Sequence, residues 1–202
     1  MKKTSRILIC QFIVIGIVLI FSNSCKKEKL LKIGDNYQGG IIFYILQSGD
    51  PGYDAEEQHG LIAAPSDQYS THPGMQWHDG IAATLTVTGA TATSLGTGNS
   101  NTNTIVNIEG TGNYPAKLCY DLELGGYNDW YLPSKDELNK LYINRDAVGG
   151  FVGTGTIWTY GYWSSSEKDK NYAWGQLFPG NGTQASYNKV SQKCYVRAVR
   201  SF

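Results

Sequence analysis

The chain is 202 residues long, and its 17 Lys and Arg balance its 17 Asp and Glu, for a formal charge of zero. That balance gives no electrostatic basis for binding nucleic acid or a polyanion. Twenty-four glycines, fourteen tyrosines and five tryptophans point to short elements joined by many loops, with aromatics for a core or a binding surface.

Residues 1–6 carry Lys2, Lys3 and Arg6, and Ile7–Phe21 is apolar apart from Gln11. This apolar stretch is shorter than the ~20 residues that a helix needs to span a bilayer. A basic start, an apolar middle and the small-residue end Ser22-Asn23-Ser24 predict an export signal over residues 1–24. Cys25 follows directly and resembles a lipobox cysteine, which is acylated after cleavage before it; a signal without lipid is the alternative. The Ser24-Cys25-Lys26-Lys27-Glu28 run is similar to lipoprotein signals of Bacteroidota. Lys26 does not resemble an inner-membrane retention residue, which implies an outer-membrane lipoprotein, at the cell surface or on the periplasmic face. Residues 25–33 read as a short tether and residues 34–202 as one domain, of a size that buries about 70% of its unfolded surface. Removing the signal takes away three basic residues and no acidic one, so the charge of zero becomes −3.

Gly39–Leu46 is a continuous β-branched and aromatic run between glycines, which predicts a buried strand. Gly60–Ala64, ended by Pro65, predicts a second strand able to pair with it across the Gly49–His59 loop. Met75–Gly80 reads as a polar connector containing Trp77 and His78. Thr84–Thr104 is rich in Thr, Gly and Asn and reads as an exposed loop. Helices are predicted over Asn103–Glu109 and Ala116–Leu124, the latter stopped by Gly125-Gly126. A third begins at Pro133-Ser134-Lys135-Asp136-Glu137, where Ser134 and Glu137 form a capping box, and runs to Ile143 with Leu138, Leu141 and Tyr142 inward. Further strands are predicted at Ile157–Thr159, Tyr162–Ser165, Tyr172–Phe178 and Cys194–Arg200. Strands, then helices, then strands indicate an α+β fold.

With Cys10 in the signal and Cys25 lipidated, Cys119 and Cys194 remain; in an exported protein they most simply form a disulfide, the alternative being two buried thiols. Ser164-Ser165-Ser166-Glu167 resembles a nucleophile cluster but lacks a Gly-X-Ser-X-Gly elbow, and reads as strand edge and turn. His59, His72 and His78 with Asp67 and Asp79 match no zinc or calcium spacing. Gly96-Thr97-Gly98 does not join a strand to a helix as a nucleotide loop does, so neither a metal nor another cofactor is expected. Trp130, Leu132, Pro133, Trp163 and Trp174 read as core.

Three ordered segments carry a family resemblance. Gly125-Gly126-Tyr127-Asn128-Asp129-Trp130-Tyr131-Leu132-Pro133-Ser134, continuing to Leu138, is the first. Tyr162–Glu167 followed by Ala173-Trp174 is the second, and Val196-Arg197-Ala198-Val199-Arg200 the third. Together they resemble the Legionella collagen-like adhesin C-terminal domain family, over roughly residues 34–202. The resemblance implies a C-type-lectin-like fold, a small twisted antiparallel sheet flanked by two or three short helices with long loops. It also implies a helix-to-terminal-strand disulfide between Cys119 and Cys194, and an exported, non-catalytic domain that binds a ligand. Binding of sulfated polysaccharide, known in the namesake, is not favoured by this slightly acidic chain.

The segment Lys168–Lys193 is where ligand contact is expected, through Asp169, Lys170, Asn171, Tyr172, Asn181, Gln184, Tyr187 and Asn188. Aromatic and amide side chains suit sugar rings, which need an apolar face and partners for hydroxyls, and suit protein contacts equally. The leading reading is therefore a lipid-anchored envelope module that binds a glycan or protein. A structural or adhesin subunit acting by self-association is a second reading. A relative of formylglycine-generating oxidases is a third, weakened because those enzymes need two cysteines close together in sequence.

Overall fold

A computed structural model of the chain describes residues 30–80, 84–152, 161–178 and 180–202. The expected export signal, the expected lipidation at Cys25 and the strand expected at Ile157–Thr159 lie outside the described residues.

The fold is α+β, as the order of elements indicates, but it holds two antiparallel sheets where one was expected. The first has the order β1 (Asn36–Tyr37), β2 (Gly40–Ile45), β3 (Gly60–Ala63) and β7 (Val199–Ser201). The second contains β4 (Gly161–Glu167), β5 (Tyr172–Leu177) and β6 (Gln184–Asn188). Among the described residues, four helices lie between β3 and β4: α1 (Gly98–Glu109), α2 (Pro115–Tyr120), α3 (Lys135–Ile143) and α4 (Arg145–Val148).

The first sheet is buried on both faces, which is why β2 and β3 read as unbroken apolar runs. Ile42 and Ile62 pack into one core with Trp77, Trp130, Trp163 and Val196. Their neighbours Phe43 and Leu61 pack into the other with Leu138, Tyr162 and Val199. Successive residues of a strand point to opposite faces, so each strand supplies both cores. β2 and β3 pair across the predicted loop, Ile42 opposite Ile62.

The terminal segment joins the two sheets. Val199 pairs with Ala63 in β3 and bridges to Tyr131, Tyr195 bridges in parallel to Tyr162 of β4, and Cys194 bridges to Met75. Its mixed pattern is accounted for by Arg197, which is buried: its Nε donates to Asp67 at 2.7 Å and its Nη1 to the Ala64 carbonyl at 3.0 Å.

Several expectations are corrected. Met75–Gly80 is not a solvated connector, since Trp77 and His78 are buried and the Trp77 indole donates to the Ser164 carbonyl at 2.9 Å. Helix α1 begins at Gly98, inside the stretch expected to be an exposed loop. Tertiary bonds override its poor helix propensity: Asn101 donates to the Ala92 carbonyl, and the Thr102 hydroxyl joins Gly98 to Leu132. Helix α2 stops at Tyr120 because Leu124 and Tyr127 close a tight turn instead. In α3 the capping box forms as predicted, Leu138 and Leu141 are buried, and Tyr142 is only half-buried.

Cys119 and Cys194 are free thiols rather than the expected disulfide. Both are enclosed in the same apolar core, and burial pushes both thiols up, well above their ordinary value. Held in the neutral form, they lack the thiolate that disulfide exchange requires.

Candidate functional site

Strand alternation sorts the expected ligand residues onto two faces of the second sheet. Tyr172 lies opposite Asn188, Trp174 opposite Ser186 and Gln176 opposite Gln184, so these six share the outer face. Tyr187 lies opposite Ala173 and points the other way. Its ring meets Trp163 edge-on at 6.0 Å, and burial pushes its hydroxyl up to about 12. Tyr187 therefore packs, half-buried, against the core and does not share the outer face with Tyr172 and Trp174.

Helix α3 covers one end of the outer face. Gln184 Nε2 donates to the Lys135 carbonyl at 2.7 Å, and Gln176 Nε2 to Asn139 Oδ1 at 2.9 Å. Beyond this cover, Tyr172 is 40% exposed and Trp174 half-buried. The Lys135 ammonium stands 4.3 Å from the centre of the Trp174 indole. Lys168 stands 5.7 Å from the same ring and 5.9 Å from Tyr172, and donates to Ser186 Oγ at 3.1 Å. Two aromatic rings on one face, with the Lys135 ammonium over the Trp174 indole and Lys168 near both rings, thus form a partly covered platform.

Most of the polar residues expected to contact ligand serve the turns instead. Asp169 Oδ1 accepts from the Asn171 and Tyr172 amides, Asn181 Oδ1 from Thr183, and Asn188 Oδ1 from the Val190 and Ser191 amides. These are side-chain turns that fix the loop ends. Lys170 and Asn171 are exposed at the β4–β5 turn, next to the platform in sequence. Sequence reasoning missed Lys135 and Lys168 and placed Trp174 in the core. The alternation Tyr172-Ala173-Trp174 was the available signal, since it sets both rings on one face. Gln184, Tyr187 and Asn188 were read as loop residues and instead form β6.

The motif residues are structural. Trp130, Leu132 and Trp163 are buried, as expected. The three serines act as a clamp: the Ser164 hydroxyl donates to the Trp174 carbonyl, the Ser165 amide to the Pro133 carbonyl and the Ser166 hydroxyl to the Ala92 carbonyl. Glu167 accepts from the Thr88 and Gly89 amides and pairs with Lys189 at 2.5 Å, both side chains fully buried. Glu137 accepts from the Ser134 and Gly96 amides at 2.8 and 2.9 Å. Two buried carboxylates therefore pin the strap of residues 84–98 from below, through its main chain. Gly96-Thr97-Gly98 leads into α1, with the Gly96 amide turned to the protein's own carboxylate, Glu137.

The histidines and aspartates are dispersed. His59 Nδ1 meets the Phe202 carbonyl and His72 Nδ1 the Tyr195 hydroxyl. His78 Nδ1 lies 2.6 Å from Glu109 without hydrogen-bond alignment. Asp67 pairs with Arg197, and Asp79 accepts from the Asn113 amide. Among the described residues no three metal-binding side chains cluster, and no helix is long and apolar enough to cross a membrane.

Comparison with protein families matches residues 69–200 to the Lcl C-terminal domain. The match takes in all three signature segments and the platform, and begins after β3. No curated protein matches the chain. The chain belongs to the Lcl C-terminal domain family, a family of adhesin-type domains of the cell surface.

Proposed function

We propose that this is a non-catalytic, lipid-anchored module of the outer membrane that contacts an extracellular glycan or protein through the outer face of β5 and β6. The observation that carries the proposal is the Tyr172–Trp174 platform, with Lys135 over the Trp174 ring and Lys168 near both rings. Aromatic faces of this kind supply rigid contact area at low entropic cost, and the lysine and serine groups supply hydrogen bonds. The adhesin-type family supports an extracellular partner. The apolar leader ending at Cys25 supports the lipid anchor.

The test is binding of the protein to arrays of glycans and of extracellular proteins, with Trp174→Ala alongside. The native protein is expected to bind at least one array member, and the variant to lose about 2 kcal/mol or more, as aromatic hot spots do. Protease added to intact cells is expected to remove the domain. Equal binding by the variant would move the ligand face elsewhere, and protection in intact cells would place the domain on the periplasmic side.

A second reading, self-association, has one feature in its favour: among the described residues β6 is an edge strand, and edges with unpaired main-chain groups can add another strand. A molecular mass that stays monomeric across concentrations would dismiss it.

A further inference from the structure

We infer that a second ligand subsite lies where α1, α2 and the signature segment around Asn128 converge, and that it takes a single uncharged pyranose. The inference rests on the reading of the domain as a ligand-binding module, but it concerns a different surface from the Tyr172–Trp174 platform.

A cavity of about 210 Å³ opens at this point. It falls below the ~300–1,000 Å³ of sites for drug-sized ligands, so it admits one ring rather than a chain. Helix α1 presents Asn99 and Asn103 to it, four residues apart and so on one face of the helix. Asn103 Nδ2 donates to Asn99 Oδ1 at 2.5 Å and to the Asn99 carbonyl at 2.9 Å. This pairing orients both amides and leaves Asn99 Nδ2 as a donor and Asn103 Oδ1 as an acceptor. Asn128 and Asp129 line the opposite side, and Tyr120, 46% exposed, adds an aromatic ring.

The chemistry of the lining selects the class of ligand. Asp129 is its only charged residue, and Arg200 Nε already donates to Asp129 Oδ1. A cation would find a carboxylate whose charge is already met. An anion would find no available cation: Arg200 also donates to Gln38 and lies 3.8 Å from the centre of the Tyr127 ring, and Lys117, 5.7 Å from the centre of the Tyr120 ring, is paired with Asp121. A protein partner would cover about 800 Å² of this chain, a scale of contact that a recess for one ring does not define. A neutral ring with several hydroxyls answers every feature. Its hydroxyls can donate to Asp129 Oδ2 and Asn103 Oδ1 and accept from amide nitrogens, while its C–H face meets the electron-rich face of Tyr120.

The site is also preorganised. Trp130 is buried in its floor, and the buried Thr102 hydroxyl ties α1 to Leu132. The Leu124–Tyr127 turn that leads into Asn128 is held by a close main-chain approach. A Cβ added at Gly39 would stand 2.7 Å from the Gly125 Cα, and both glycines have positive φ. A rigid site loses little ordering entropy on binding.

The test is titration of the full chain with the methyl glycosides of glucose, galactose and mannose, followed by NMR of the Asn side-chain amides and the Trp indoles. One glycoside is expected to shift the Asn99, Asn103, Asn128 and Trp130 signals with a Kd on the order of 1 mM. Tyr120→Ala and Asn103→Ala, both exposed positions whose unliganded spectra report folding, are each expected to weaken it about tenfold. Trp174→Ala is expected to leave it unchanged. Silence with all three sugars, or retained affinity in both folded pocket variants, overturns the subsite. Shifts centred on Trp174 alone overturn it while leaving the platform standing.

Discussion

Glu167 and Lys189 are ion-paired with no exposure to water, and each makes a further contact. Glu167 holds two strap amides, and the Lys189 ammonium lies 4.6 Å from the centre of the Trp77 ring. Removing one charge from a buried pair leaves the other uncompensated, at a cost of about 3–5 kcal/mol. Glu167→Gln is therefore expected to destabilise the domain by that amount in urea unfolding, and a change below about 1 kcal/mol would remove the pair from the framework. Glu137 differs, because it is surrounded by amides and burial outweighs them, raising its pKa above the ordinary 4.5. The folded state then holds a proton more tightly than the unfolded state. Its contribution to stability is fully present below the unfolded pKa and is lost as pH rises through the folded value. Urea midpoints are expected to rise through this group as pH falls from neutrality toward the ordinary 4.5, and Glu137→Gln to flatten that change.

At the scale of elements, the strap and α3 are one unit. The Ser134 side chain accepts from the Glu137 amide and donates to the Ser94 carbonyl, and the Asp136 amide donates to the Thr93 carbonyl. The cap of the helix is thus also an anchor of the strap. Ser134→Ala is expected to cost about 1 kcal/mol, the usual loss for an N-cap. It is also expected to raise hydrogen exchange at residues 94–98 more than within α3. Uniform exchange changes across both would show that the strap is held independently of the cap. The same logic explains why the Leu132-Pro133-Ser134 and Tyr162–Glu167 motifs belong together: each supplies main-chain partners to the other and to the strap.

For the whole molecule, two cores lie on either side of one sheet, joined by the Cys194–Val199 segment, and one of them encloses both thiols away from solvent. Thiol titration of the native protein at mildly alkaline pH is expected to give no reaction at Cys119 or Cys194, and in denaturant to give both. A missing pair in denaturant would show that the disulfide forms after all. What the sequence by itself determined was the set of local signals: the α+β order, β2 and β3 from unbroken apolar runs, the Ser134–Glu137 cap, and the buried Trp130 and Trp163. Each depends on residues near one another in the chain, where propensity and periodicity act. Only the tertiary structure decided the rest. A low-complexity stretch became a pinned strap and the start of α1 because distant carboxylates and hydroxyls satisfy its main chain. Tyr187 turned inward and Trp174 outward because pairing across β5 and β6 set their faces. Lys135 joined the platform because α3 packs on that sheet. These outcomes follow from contacts between residues far apart in sequence, whose partners no local pattern records.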